Sequence, residues 1–125
     1  MISQYQVASM YKALVIGTDH NAENCTGFFT KWGACDLIVL NALNKTQVRM
    51  VAKELGAPEK LYNKAPTADL EELKPGKLDD DGFGFPYWKL DLFLEGKQID
   101  KETEEKIIHQ FLITQHKRKP IVIFK

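Results

Sequence analysis

At 125 residues, with 17 basic side chains balanced by 17 acidic ones, the chain is long enough for one compact domain, and its zero formal charge excludes a general pull toward nucleic acid or an anionic membrane. Any phosphate it binds must be met locally. Cys25 and Cys35 lack CxxC spacing, and no histidine stands at a finger-like distance from them, so zinc and a disulfide framework are not expected; a reducing cytoplasm is, since no run reads as a signal peptide or a membrane span.

The first element is a short apolar run, Ala13 to Ile16, of the kind a parallel strand covered on both faces requires. Gly17 ends it, and Thr18, Asp19 and Glu23 follow at the strand-to-helix junction, where open α/β sheets place their ligands. A hydroxyl and two carboxylates there suit a nucleotide and a hard cation such as magnesium. The plainer alternative is a turn with Asp19 as the helix N-cap.

Asn44-Lys45-Thr46-Gln47 has the form of a capping box. Val48, Val51, Ala52 and Leu55 then fall on one helical face, and Gly56 and Pro58 end the helix. Lys45 lies in the first turn, where the helix dipole disfavours a cation unless an anion is also present. It is therefore a phosphate candidate, with an exposed surface lysine as the alternative.

Residues 64–84 carry Pro66, Pro75, Gly76, Gly82 and Gly84 among many charges, and read as a long loop, of a length that belongs to lids or disordered segments. Asp79-Asp80-Asp81 before Gly82 resembles the start of a calcium loop, but its twelfth position would be Leu90 instead of a glutamate, so a solvated hinge is the better reading. Pro86 opens a helix with Tyr87, Leu90, Phe93 and Leu94 on one side and Gly96 past its end. Asp100 caps another, with Ile107, Ile108, Phe111 and Leu112 as its buried stripe. A basic cluster, Gln115 to Pro120, precedes an apolar run from Ile121 to Phe124 that reads as an edge strand.

Five segments in this order carry a resemblance to a known family: G-T-D-H-N-A-E-N-C-T-G-F-F-T-K from Gly17, N-K-T-Q-V from Asn44, K-A-P-T-A-D-L from Lys64, F-L-E-G-K from Phe93 and Q-H-K-R-K-P from Gln115. Together they strongly resemble ammonia-dependent NAD synthetase, of the ATP pyrophosphatase group. The resemblance implies an α/β, Rossmann-like, adenine nucleotide alpha hydrolase-like parallel sheet with flanking helices, and a homodimer. It also implies a reaction: ATP adenylates the carboxylate of deamido-NAD, pyrophosphate leaves, and ammonia then displaces AMP to give NAD. By the same resemblance Thr18, Lys45 and Thr67 contact ATP, Glu23 binds magnesium, and Lys31, Asp36, His116 and Lys117 contact deamido-NAD. The segment 64–84 corresponds to a loop that orders over the reactive phosphate.

The chain departs from that pattern in two places. Family members are about twice as long, and no S-G-G-x-D-S loop for the pyrophosphate occurs in this chain. Residues 1–125 thus read as the carboxyl-terminal part of one domain, with the amino-terminal half absent and the isolated chain inactive. Gly33-Ala34-Cys35-Asp36 also replaces a longer glycine-rich turn, which alters how Asp36 meets its ligand, and Val39 stands where the family has proline.

An alternative of a different class is a non-catalytic remnant that binds a dinucleotide or pairs with a full-length synthetase subunit through apolar faces around Tyr87, Trp88, Phe93 and Phe111. The segment from Lys64 to Leu70 and the H-K-R-K-P end argue against other ATP pyrophosphatases such as guanylate or asparagine synthetases. Without a glutaminase domain bearing a placed cysteine, ammonia is the expected nitrogen source.

Overall fold

The computed structural model describes residues 1–32, 34–67 and 72–120. The apolar run after Ala13 forms a strand only at its end: β1 is Ile16–Gly17, and it pairs in parallel with β2, Leu37–Ile38, in the register Ile16 to Leu37 and Gly17 to Ile38. Parallel strands need a crossover between them, and here it contains α2, Asn21–Thr26. Helices with a parallel pair of strands place the chain in the α/β class. The expectation of a strand buried on both faces is corrected. Val15 is buried, but Leu14 and Ile16 are each more than half exposed, because nothing among the described residues packs over them.

The register demands a glycine at position 17. A Cβ there would lie 2.2 Å from Cys35 Sγ, so only a residue without one lets the segment before β2 approach. Asp36 reinforces the same junction, its Oδ2 accepting from Val15 N at 2.8 Å.

Beyond this pair the structure is helical. A first helix not foreseen from the sequence, α1, runs Ile2–Tyr11 and buries none of its residues. The helix after the capping box is α3, Lys45–Glu54, followed by the single turn α4, Glu59–Tyr62. Next come α5, Asp79–Phe83; α6, Tyr87–Leu94; α7, Lys101–Ile113; and α8, Gln115–Arg118.

The aspartate triplet is therefore the first turn of α5 and not a hinge. Three carboxylates at a helix N-terminus meet the positive end of the dipole, which gives the triplet a local reason to be helical. Of the segment read as a loop, residues 68–71 lie outside the described residues, as does the edge strand expected at 121–124.

The core gathers Ala22 and Cys25 of α2, Phe85, Tyr87 and Leu90 of α6 and the turn before it, and Ile107 of α7. Pro86 and Asp100 start α6 and α7 as expected; Asp100 Oδ1 accepts from Thr103 N at 3.0 Å, while Lys89 of α6 donates to Asp100 Oδ2 at 2.5 Å and ties the two helices. The apolar stripe expected on α7 is only partly right. Ile107 is buried, whereas Ile108, Phe111 and Leu112 are exposed. The side facing α2 is instead completed by polar groups: Gln110 Nε2 donates to the Thr26 carbonyl at 2.9 Å.

At the end of α2 the chain turns through Gly27, at φ 72°, where any Cβ would press on the Thr114 side chain at 2.4 Å. This contact brings α8 against the C-terminus of α2. Lys117 Nζ donates to the carbonyls of Gly27 and Phe29, and Arg118 Nη1 donates to those of Asn24 and Cys25. Cations at a helix C-terminus answer its unpaired carbonyls and its negative dipole end.

Candidate functional site

The N-terminus of α3 is built as its sequence predicts. Asn44 Oδ1 accepts from Gln47 N at 2.8 Å, and Gln47 Oε1 accepts from Asn44 N at 3.0 Å. A second anchor comes from α6. Asp91, only 3% exposed, accepts from Lys45 N at 3.1 Å, Thr46 N at 2.7 Å and Thr46 Oγ1 at 2.6 Å. The dipole-based case for an anion beside Lys45 is thereby corrected: the anion at this helix end is the chain's own Asp91. What remains available for a ligand is the Lys45 side chain, not the backbone N–H groups of the first turn.

The junction before α2 also departs from expectation, because His20 and not Asp19 is the N-cap. Histidine reaches the helix through Nδ1, which lies 3.4 Å from Glu23 N, while Glu23 Oε2 accepts from His20 N at 3.0 Å. The ring is 2% exposed and stands edge-on to Tyr87. Burial, with the nearby Lys45 ammonium, pushes its pKa down to about 4, so the imidazole is neutral at pH 7. Burial raises the Glu23 carboxyl above its ordinary range, against the His20 N–H and Lys45, which lower it.

Glu23, Lys45 and Thr67, assigned from three separate segments, line one cleft of about 400 Å³ between α2, α3 and the segment after α4. Arg49, Lys64 and Asp79 line it too, so cations and carboxylates face each other across a space of ligand size. Val48 and Ala52 of the apolar α3 face contribute to its lining, and no residue of α3 is buried. Thr18 is exposed just after β1 and is not among the residues lining this cleft.

The second group of assigned residues is only partly assembled. Lys31 Nζ donates to the His116 carbonyl at 2.6 Å, and Lys117, whose pKa burial lowers, lies against the same loop through Gly27 and Phe29. Asp36 lies just before β2 with its carboxylate accepting from Val15 N, and among the described residues no hydrogen bond links it to the other three. Both cysteines are free thiols, Cys25 buried and Cys35 half-buried.

Sequence reasoning missed His20, Asp91 and Tyr87 as parts of the site. Tyr87 is buried with a hydroxyl that has no hydrogen-bond partner among the described residues. Its pKa is pushed up by burial and by the carboxylates of Glu23, Asp79, Asp80 and Asp91. Asp91 did leave a signal: a lone carboxylate inside the apolar run Leu90 to Leu94 needs a buried partner. No such signal marks His20, since histidine is not a preferred cap.

Among the described residues no helix is long and apolar enough to cross a membrane, and no group of three or more histidine, cysteine, aspartate or glutamate side chains is placed to hold a metal.

The family model for NAD synthase matches residues 1–121. The NH(3)-dependent NAD(+) synthetase of Aliivibrio salmonicida is 59% identical over 97% of this chain, and that of Shewanella oneidensis is 58% identical over the same share. The chain spans about half the length of these relatives, 45% in both cases. Among solved structures, the NMN synthetase of Francisella tularensis aligns with a TM-score of 0.89 at 37% identity, over 98% of this chain and 51% of that one. The NAD+ synthetase of Burkholderia pseudomallei aligns at 0.71 with 46% identity, over 94% of this chain and 44% of that one. With the family model covering nearly every residue and the relatives well above half identical, this chain belongs to the NAD synthase family.

Proposed function

We propose that the chain serves ATP-dependent amidation of a nicotinate carboxylate, with deamido-NAD as substrate and ammonia as nitrogen donor, and that its α2–α3 cleft holds the ATP phosphates. A carboxylate is a poor electrophile until one oxygen becomes part of a leaving group. Attack of that oxygen on the α-phosphorus of ATP expels pyrophosphate, and ammonia then forms the amide as AMP departs with the bonding electrons. The observation that carries this reading is that Glu23, Lys45 and Thr67 line one cleft. In it Lys45 offsets phosphate charge and Thr67 donates a hydroxyl hydrogen bond, while Thr18, outside the cleft lining at the end of β1, contacts another part of ATP.

The donor chemistry fits magnesium. Magnesium takes oxygen ligands, commonly one or two carboxylates with the substrate phosphates and water completing the set. Glu23 offers such an oxygen on the cleft wall, and its His20 N–H contact fixes the other. When bound, the ion supplies positive charge against the phosphate oxygens. The cluster of Lys31, His116 and Lys117, with Asp36, contributes contacts to deamido-NAD. The rest of the reading is a homodimer on a Rossmann-like sheet, with 64–84 as its lid. The alignment with an NMN synthetase brings the mononucleotide counterpart into the same tests.

Isothermal titration of the chain with MgATP tests the cleft. Binding is expected, and Lys45→Met is expected to weaken it about tenfold or more, the worth of a charge-assisted hydrogen bond. Equal affinity in the variant would overturn the assignment. Because this chain has no S-G-G-x-D-S loop, binding without formation of NAD or AMP is the expected result when all substrates are supplied.

A second reading, pairing with a fuller synthetase polypeptide, is favoured by one observation. Ile2, Met10, Tyr11, Leu14 and Ile16 of α1 and β1 are all more than half exposed, an apolar surface of the kind that marks an interface. The sequence pointed instead to faces around Tyr87, Trp88, Phe93 and Phe111 on α6 and α7, and these are corrected in part: Tyr87 is buried and Phe93 half-buried, while Trp88 and Phe111 are exposed. Co-purification with a tagged full-length synthetase is expected; recovery of the chain only in the unbound fraction would dismiss the pairing.

A further inference from the structure

The residues facing the cleft are held from behind by a side chain that never reaches it. His20 is 2% exposed and does not line the cleft, yet it touches two side chains that do. Its backbone N–H donates to Glu23 Oε2 at 3.0 Å, its ring Nε2 lies 3.4 Å from Glu23 Oε1, and the same Nε2 lies 3.2 Å from Lys45 Nζ. Glu23 stands on α2 and Lys45 on α3, and neither helix otherwise dictates where these flexible side chains point. Tyr87 closes the arrangement, its ring edge-on to His20 with Lys45 Nζ 5.4 Å from the centroid.

The ring's bonding capacity makes this arrangement specific. A neutral imidazole has one lone pair and one N–H, while two donors converge on it, Glu23 N at Nδ1 and Lys45 Nζ at Nε2. Only one can be accepted at a time. With the proton on Nε2, the ring caps α2 and donates toward Glu23 Oε1, and Lys45 is left to find an anion. With the proton on Nδ1, Nε2 accepts from Lys45 and parks the ammonium beside the cleft.

We propose that His20 is a positioning residue whose two neutral tautomers hold Lys45 at rest or release it to an anionic ligand, while keeping Glu23 fixed in both. The proposal rests on the reading of the cleft as a phosphate site. It assigns His20 no contact with substrate or metal.

The test uses His20→Asn, since asparagine is a strong N-cap and already serves this fold at Asn44, so α2 stays capped while the bridge to Lys45 is lost. The first readout needs no ligand. Side-chain 13C relaxation at Lys45 Cε should show restricted motion in the native chain and the mobility of a surface lysine in His20→Asn; unchanged motion would overturn the proposal. A second readout needs no folded variant of His20. The 15N shifts of the native His20 ring should move toward the Nε2–H tautomer in Lys45→Met, and an unmoved ring would equally overturn it. MgATP then separates the two layers of inference. If the native chain does not bind it, the phosphate reading fails while the relaxation results still decide whether His20 holds Lys45. If it binds, the 15N shifts of the native His20 ring should move toward the Nε2–H tautomer as MgATP is added and Lys45 is drawn off, and a ring unmoved by bound MgATP would refute the positioning role.

Discussion

Replacing Asp91 with alanine is expected to destabilise the chain by about 2–4 kcal/mol, the cost of removing a buried carboxylate that answers two backbone N–H groups and a hydroxyl. Asp91 accepts three hydrogen bonds from Lys45 and Thr46 while almost fully buried, so its removal orphans two backbone N–H groups and a hydroxyl. The loss falls on the first turn of α3, which carries Lys45, and on its packing against α6. Urea unfolding of Asp91→Ala measures it. A loss under about 1 kcal/mol would mean that water enters and replaces the carboxylate. Thr46→Val, which deletes one of the three bonds, should cost only about 1 kcal/mol.

Stability is expected to fall on acidification through the range where His20 differs between folded and unfolded chains. The unfolded imidazole titrates near 6.5 and the folded one near 4. Between those values the unfolded chain binds more protons, so lowering the pH favours unfolding. From pH 7 to pH 4 the contribution amounts to about 3 kcal/mol at most, at roughly 1.4 kcal/mol per pKa unit. Glu23 works the other way. Its raised pKa makes the folded chain bind more protons above pH 4.5, so its ionisation costs stability as pH rises. Unfolding curves of the native chain and His20→Asn at pH 7, 6, 5 and 4 isolate the histidine in their difference. Parallel pH profiles would show that His20 is not kept neutral by its surroundings.

What the sequence disclosed and what it withheld divide along the range of the interactions. Asn44, Pro86 and Asp100 act within a turn of their own helices, and local capping chemistry is readable from neighbours in the chain. The burial of helix faces is not local. The α3 face lines a cleft, and most of the α7 stripe lies open, because burial depends on which partner arrives. Likewise Asp91 acts on residues 45 positions away, and spacing along α6 alone says only that it interrupts an apolar run. Glu23 and Lys45 were candidates by residue type and Thr67 by the resemblance alone; in the structure the three line one cleft. For Asp36 the outcome is different, since its carboxylate is engaged by Val15 on the strand edge.

The grip of Lys117 and Arg118 on the carbonyls of Asn24, Cys25, Gly27 and Phe29 joins parts of the polypeptide separated by about ninety positions. Proteins open in cooperative units set by such ties and not by proximity in sequence. Breathing of the last described turn must therefore strip the end of α2 of its donors, and with it loosen the helix on which Glu23 stands. Acetylation of Lys117, or any loss of its charge, would be felt at the cleft as a change in how long it stays intact, although that lysine does not line it.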